Sequence, residues 1–229
     1  MSGRILGLLI GLLLTVPVCA KDDLISRVDV DMMLVSPPVA EYRNSGPVFA
    51  KATSVNRWLM VKIEFTADRK SLSVPQLKKR GGKYELQFGG FIDDLQLQLK
   101  VLMDTGWKID GQSIYAMYTG ETELYTVRCD GKRHVVTMFV PGKFIDRYSI
   151  LATGGIRRVS KVDFKAEVIF SAAGRQLARS YCSSSSRKNF EEYCKMVPAN
   201  MIFTGGVLPR YRTPWALLGA DDFDLEKQR

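Results

Sequence analysis

The sequence predicts a mainly β protein, an immunoglobulin-like antiparallel β-sandwich with long inserts and one or two short helices. Three observations lead there. Four separate segments alternate apolar and polar residues with period two, as a strand with one buried face does. Asp130-Gly131 and Ala173-Gly174-Arg175 stand between apolar runs as turn signals. Helical character is confined to Asn189–Met196 (NFEEYCKM) and a turn opened by Thr213-Pro214, with Thr as cap and Pro at the first position.

Taken in chain order, Met1 to Arg4 supply a positive start, Ile5 to Leu14 an apolar run, and Pro17 a break before Val18-Cys19-Ala20. This is the pattern of a secretory signal peptide, residues 1–20, cleaved after Ala20. The apolar run is shorter than the roughly 20 residues a spanning helix needs. Val18 ahead of Cys19 fits lipoprotein acylation poorly. Residues 21–229 then form a single β-sandwich domain with a polar C-terminal tail, secreted, periplasmic or at the outer cell surface.

The mature chain opens with RVDVDMMLV, where Val28, Val30, Met32 and Leu34 oppose Asp29 and Asp31. In RWLMVKIEF, Leu59, Val61, Ile63 and Phe65 face in while Lys62 and Glu64 face out. LQLQLK sets Leu95, Leu97, Leu99 and then Val101 against Gln96, Gln98 and Lys100. VDFKAEVIF sets Val162, Phe164, Ala166, Val168 and Phe170 against Asp163, Lys165 and Glu167. Between them, ETELYTVRC and KRHVVTMFV read as a hairpin about Asp130-Gly131, pairing Cys129 with Lys132, Val127 with His134 and Tyr125 with Val136. Residues 36–56, 66–92 and 104–120 read as long inserts.

The chain carries a formal charge of +9, and the leader removes only Arg4 from it. Basic residues gather at Lys78-Lys79-Arg80 with Lys83, at Arg157-Arg158 with Lys161, and at Arg210 with Arg212, beside Gly or Pro as at loop tips. Such loops suit an anionic glycan or a membrane surface. No nucleic-acid partner is expected of an exported chain.

No catalytic motif stands out. The single histidine, His134, falls within a strand beside Val136, as a half-buried structural residue would. Three mature cysteines and one histidine without CxxC or HxxxH spacing do not make a zinc site. The acidic run Asp221-Asp222-Phe223-Asp224-Leu225-Glu226 lacks the glycine-punctuated spacing of a calcium loop. No metal or cofactor is expected. Asp93, Asp94, Glu121 and Glu123 near strand starts leave open a carbohydrate-active or other hydrolytic enzyme on a β scaffold. Trp58, Trp107, Tyr115 and Tyr118 are candidates for an exposed interaction surface.

With the leader gone, Cys129, Cys182 and Cys194 remain, and three single pairings are open. Cys182–Cys194 closes the shortest loop, worth roughly 3 kcal/mol of unfolded-state entropy. The tip SSSSRKN inside it could also serve recognition.

RVDVDMMLVSPP, FIDDLQLQLKVLMDTGW and VDFKAEVIFSAAG, with the leader and the basic charge, resemble a group of secreted immunoglobulin-like proteins encoded beside type IV pilus-like machinery in some Gram-negative bacteria. The resemblance covers nearly the whole mature chain and rests on overall pattern. It implies a noncatalytic envelope protein with a structural, adhesive or pilus-assembly role and an envelope or pilus-associated protein as partner. The leader removes its hydrophobic helix, unlike a prepilin leader, so the implied role is accessory.

Overall fold

The computed structural model describes residues 24–43, 46–50, 57–68, 75–80, 83–88, 90–148, 159–182 and 185–216. The expected leader and the acidic tail lie outside these residues. Among the described residues no helix is long and apolar enough to cross a membrane.

Two sheets stack face to face. The first joins β1 (Ile25–Val35), β4 (Trp58–Ala67), β9 (Arg133–Val140) and β13 (Leu208–Pro209), in that order. The second joins β11 (Arg175–Tyr181), β10 (Phe164–Ala172), β7 (Phe91–Ile109), β8 (Gln112–Arg128) and β12 (Ile202–Thr204). In chain order β1, β4 and β9 take the places of immunoglobulin strands A, B and E. β7, β8, β10 and β11 take those of C, C′, F and G. The two-residue β13 sits beside E, where strand D would lie. Two hairpins, β2 (Val39–Arg43) with β3 (Gly46–Ala50) and β5 (Pro75–Arg80) with β6 (Lys83–Phe88), fall within the first two expected inserts.

The alternating segments do what their period requires. Leu59, Val61, Ile63 and Phe65 on β4 and Leu95, Leu97, Leu99 and Val101 on β7 are fully buried in one core between the sheets. Phe65 meets Phe170 edge-on across it, ring centres 5.0 Å apart. VDFKAEVIF departs at two places. Val162 belongs to a 3₁₀ turn, Lys161–Asp163, and is exposed. Glu167, on the outer face, is buried because Lys100 (3.3 Å) and Arg179 (3.6 Å) close over its carboxylate.

The Asp130-Gly131 hairpin does not form. β8 pairs with β7, and β9 pairs with β4 in the other sheet, so Tyr125 and Val136 belong to different layers. A two-residue hairpin turn matched to strand twist needs positive φ at both central residues. That condition is met at Asp110-Gly111 (φ 51° and 78°), which closes β7 onto β8. At the other site only Gly131 has positive φ. There Cys129 N–H donates to Gly90 O (2.9 Å) and Gly131 N–H to Ala67 O (3.1 Å), making a corner that carries the chain between sheets. The expected insert at 104–120 is therefore a continuous extension of β7 and β8. Ala173-Gly174 (φ 48° and 74°) does join β10 to β11, with Ala172 opposite Arg175.

Among the described residues two α-helices complete the fold: α1 (Gly142–Asp146) and α2 (Arg187–Lys195), the latter close to its expected place. Ser186 caps α2 by accepting from Asn189 N–H. Phe190 is buried with Leu102 and Tyr115 in a second, smaller cluster on the outer face of the five-stranded sheet. Thr213-Pro214 makes only a turn, in which Thr213 Oγ1 donates to Arg210 O and accepts from Trp215 N–H. After α2 the chain straps the molecule. β12 runs parallel to β8, and β13 then pairs antiparallel with β9 on the opposite layer.

Candidate interaction surfaces

The four aromatic residues singled out in the sequence have different fates. Tyr118 is wholly buried, its hydroxyl donating to Phe144 O (3.2 Å) and its ring stacked on Phe203 at 5.2 Å. Tyr115 is buried against Tyr193 under α2. Neither is available as a surface, because α2 covers Tyr115 and the rings of Phe144 and Phe203 cover Tyr118. Trp58 is half-buried on the outer face of β4, edge-on to Trp215, which stacks on Phe139 at 4.5 Å. Trp107 is exposed and meets the ring of Tyr148 edge-on, at 5.9 Å.

A bulge sets Trp107 in place. The β7–β8 register breaks between Asp104 and Lys108. Gly106 takes positive φ and donates its N–H to Asp104 Oδ1 (2.7 Å). Thr105 Oγ1 donates to Ile114 O (2.7 Å) and accepts from Trp107 N–H (3.2 Å). Such a bulge re-aims a side chain at the edge of a sheet. The sequence reading missed exposed Ile109 beyond it, and Phe91 and Tyr125 at the far end of the same strands. The Asp110-Gly111 pair was the signal that could have revealed the first.

A cleft of about 520 Å³ lies where the strap crosses β8. Gln98, Lys100, Thr119, Glu121, Thr204 and Arg212 give it polar walls. Of the candidate acids, only Glu121 lines it. Glu123 lies opposite Gln96 further along β8, and Asp93 accepts a hydrogen bond from Thr126 Oγ1 (2.9 Å). Asp94 takes positive φ at the start of β7. Two-carboxylate glycoside hydrolysis needs a pair across the scissile bond, and these acids do not converge on the cleft.

His134 acts structurally. Its ring stacks on Phe65 at 5.3 Å, and its Nε2 is 3.0 Å from Arg128 O. Cys129 is buried at the inter-sheet corner, where burial, then Asp130, raises its thiol pKa above the ordinary value. Among the described residues no group of three His, Cys, Asp or Glu side chains comes together to hold a metal ion. Arg210, expected at a loop tip, is buried, whereas Arg212 is exposed above the ring of Tyr211 at 5.5 Å. Lys78-Lys79-Arg80 runs into the β5–β6 hairpin, with Arg80 opposite Lys83. Arg157 and Arg158 lie outside the described residues.

The expected Cys182–Cys194 staple is not formed: Cys129, Cys182 and Cys194 are all thiols. The reason is strand parity. On β11, Tyr181 lies opposite Glu167 and points outward to Phe190 of α2 (5.7 Å). Cys182, one residue on, points inward, its Sγ accepting from Ala166 N–H (3.3 Å). Cys194 sits on α2, outside the sheet. The two sulfurs therefore pack with different apolar clusters, Cys182 with the inter-sheet core and Cys194 with the cluster under α2. Burial, then Glu167, raises the Cys194 pKa, which slows thiolate chemistry at neutral pH. Mass spectrometry of the protein alkylated under native conditions at pH 7 should therefore show little modification. After unfolding without reductant, Cys182 and Cys194 should both be labelled. A species whose mass requires reduction before either cysteine reacts would restore the staple.

Burial, the largest cause in each case, raises the pKa of Tyr115, Tyr118, Tyr148 and Tyr181. A raised folded-state pKa means the unfolded chain releases the phenolic protons first. The linked stability is intact below about pH 10, the ordinary tyrosine value, and is lost as pH climbs above it. Absorbance at 295 nm followed against pH should show an early reversible titration of exposed tyrosines. A later, cooperative step should coincide with loss of the β circular-dichroism signal. Ionisation of every tyrosine in one early step would contradict the burial.

No protein-family model matches the chain, and no curated protein matches it in sequence. A solved structure from Akkermansia muciniphila is similar, with a TM-score of 0.54 and 13% sequence identity over 89% of this chain and 95% of that one. At that similarity the two share a fold, the β-sandwich that the sequence predicts.

Proposed function

We propose that the protein is a noncatalytic secreted envelope component, an accessory or structural and adhesive part linked to type IV pilus-like assembly. One observation carries the reading: the space between the sheets is filled by a continuous cluster of apolar side chains, while apolar residues such as Trp107 and Ile109 are presented outside it. A scaffold of that kind serves contact better than chemistry. The leader pattern and the resemblance of its strands to secreted immunoglobulin-like proteins support the compartment and the partner class.

Two measurements test it. Amino-terminal sequencing of the protein from an envelope fraction should begin at Lys21. Pull-down from envelope extract with the mature chain should recover a pilus or surface protein. A protein confined to the cytoplasm, or a pull-down without such a component, would reject the proposal. The hydrolytic reading keeps one supporting observation, Glu121 in the 520 Å³ cleft. Turnover of a polysaccharide panel that disappears in Glu121→Gln would favour it instead.

A further inference from the structure

Among the described residues, four of the seven exposed large apolar side chains, Val162, Ile202, Trp107 and Ile109, lie at one end of the five-stranded sheet. The ladder places them there. Phe164 of β10 lies opposite Met103 of β7, so Val162 stands just above that level. Ile202 of β12 lies opposite Met117, which itself lies opposite Leu102. Trp107 and Ile109 follow on β7, past its last β10 partner. The tip of the β7–β8 hairpin, from Gly106 to Gln112, is exposed at this end, whereas Met103, Thr105, Ile114 and Tyr115 below it are buried. Val162 is 70% exposed, Ile109 61% and Trp107 38%. Phe91 and Tyr125 are the exposed apolar residues at the opposite end.

Cations surround this end. Lys108 lies between Trp107 and Ile109, with Lys161 beside Val162. Lys143 and Arg147 are exposed on α1 and at its end. The Arg147 guanidinium lies over both Tyr148 (5.9 Å) and Phe203 (5.6 Å), tying the Trp107 side of the patch to β12. Asp110 and Asp146 are exposed carboxylates here. Those of Asp104 and Asp163 accept backbone N–H groups of Gly106 and Ser160.

Exposed apolar groups gathered at one end, rather than scattered singly, are the pattern of a docking site. The chemistry of the patch decides its occupant. Trp and Ile alternate with Lys, as at a lipid boundary, where an indole enters the headgroup region and an ammonium reaches outward. We propose that this end of the sandwich docks on the surface of an anionic lipid bilayer. Trp107 and Ile109 enter the headgroup–acyl boundary, with Lys108, Lys143, Arg147 and Lys161 facing the phosphates. Of the basic loops noted in the sequence this surface shares only Lys161, and the proposal does not rest on the pilus-linked reading above.

The test is co-flotation of the mature chain with vesicles of phosphatidylethanolamine and phosphatidylglycerol, beside vesicles of phosphatidylcholine alone. Binding is expected to the anionic vesicles, at least tenfold weaker to the neutral ones, and weakened by added salt. Trp107→Ser with Ile109→Asp should reduce it at least tenfold. Phe91→Ser with Tyr125→Ser, at the other end, should leave it unchanged. Circular dichroism confirms that each variant is folded, and the single variant Ile109→Asp serves if the double one is not. Absence of vesicle binding, or equal binding by the tip variants, overturns the proposal. Tip-dependent capture of an envelope protein without vesicle binding also overturns it, assigning the end to a protein groove.

Discussion

Replacing Phe170 with alanine is expected to cost about 3–5 kcal/mol, the range for removing a buried aromatic ring. Domains have only about 5–15 kcal/mol in total, so this single change removes a large share of the margin. Phe170 has no exposed surface and sits opposite Leu97 in its own sheet. Its ring meets Phe65 of the other sheet edge-on. Phe65 in turn supports the His134 ring. Truncation therefore opens a cavity between the layers rather than at their rim, where collapse is hardest. Urea unfolding should show a lower midpoint with a similar slope. Phe170→Leu, which keeps most of the volume, should lose less than half as much. Near-equal effects would mean that the inter-sheet contact contributes little.

Gly120→Ala tests the strap. A Cβ at position 120 would collide with the backbone carbonyl of Val207, where the strap crosses from one layer to the other. Gly120 does not have positive φ, so the effect is steric and not conformational. Val207 N–H donates to Thr119 O (3.1 Å), and relief of the clash requires that bond to open. Overpacking of this kind costs about 1–3 kcal/mol. Arg210, buried in the wild type, then becomes accessible. Limited trypsin digestion should cut after Arg210 faster in the variant, by at least fivefold, while the rest of the chain resists. Gly120→Ala digestion matching the wild type would show that the strap accommodates the methyl group.

Burial along single strands was legible because it depends on neighbours two residues apart. The inward sets of β4 and β7 follow alternation residue by residue, and so does the run from Phe164 to Phe170. Strand partners were not legible. The chain holds two Asp-Gly pairs between apolar runs, and nothing local separates them. Asp110 takes the positive φ of a hairpin turn, whereas Asp130 lies at a corner because β9 finds its partner in β4. The same limit applies to the surface. Tyr115 and Tyr118 resemble loop aromatics until the hairpin, α2 and the strap cover them. Parity alone already set Tyr181 and Cys182 on opposite faces. Only the position of α2 showed which face Cys194 occupies.

From residues alone came the sandwich class, the inward faces of its main strands, a short helix at Asn189–Met196 and the expectation of export. These rest on local periodicity and local composition. Tertiary structure decided which strands pair, where the chain changes layers, that Cys182 and Cys194 pack with different clusters, and that Val162, Trp107, Ile109 and Ile202 share one end. Those are contacts between residues far apart in sequence. Their energies depend on burial and register that no segment carries by itself.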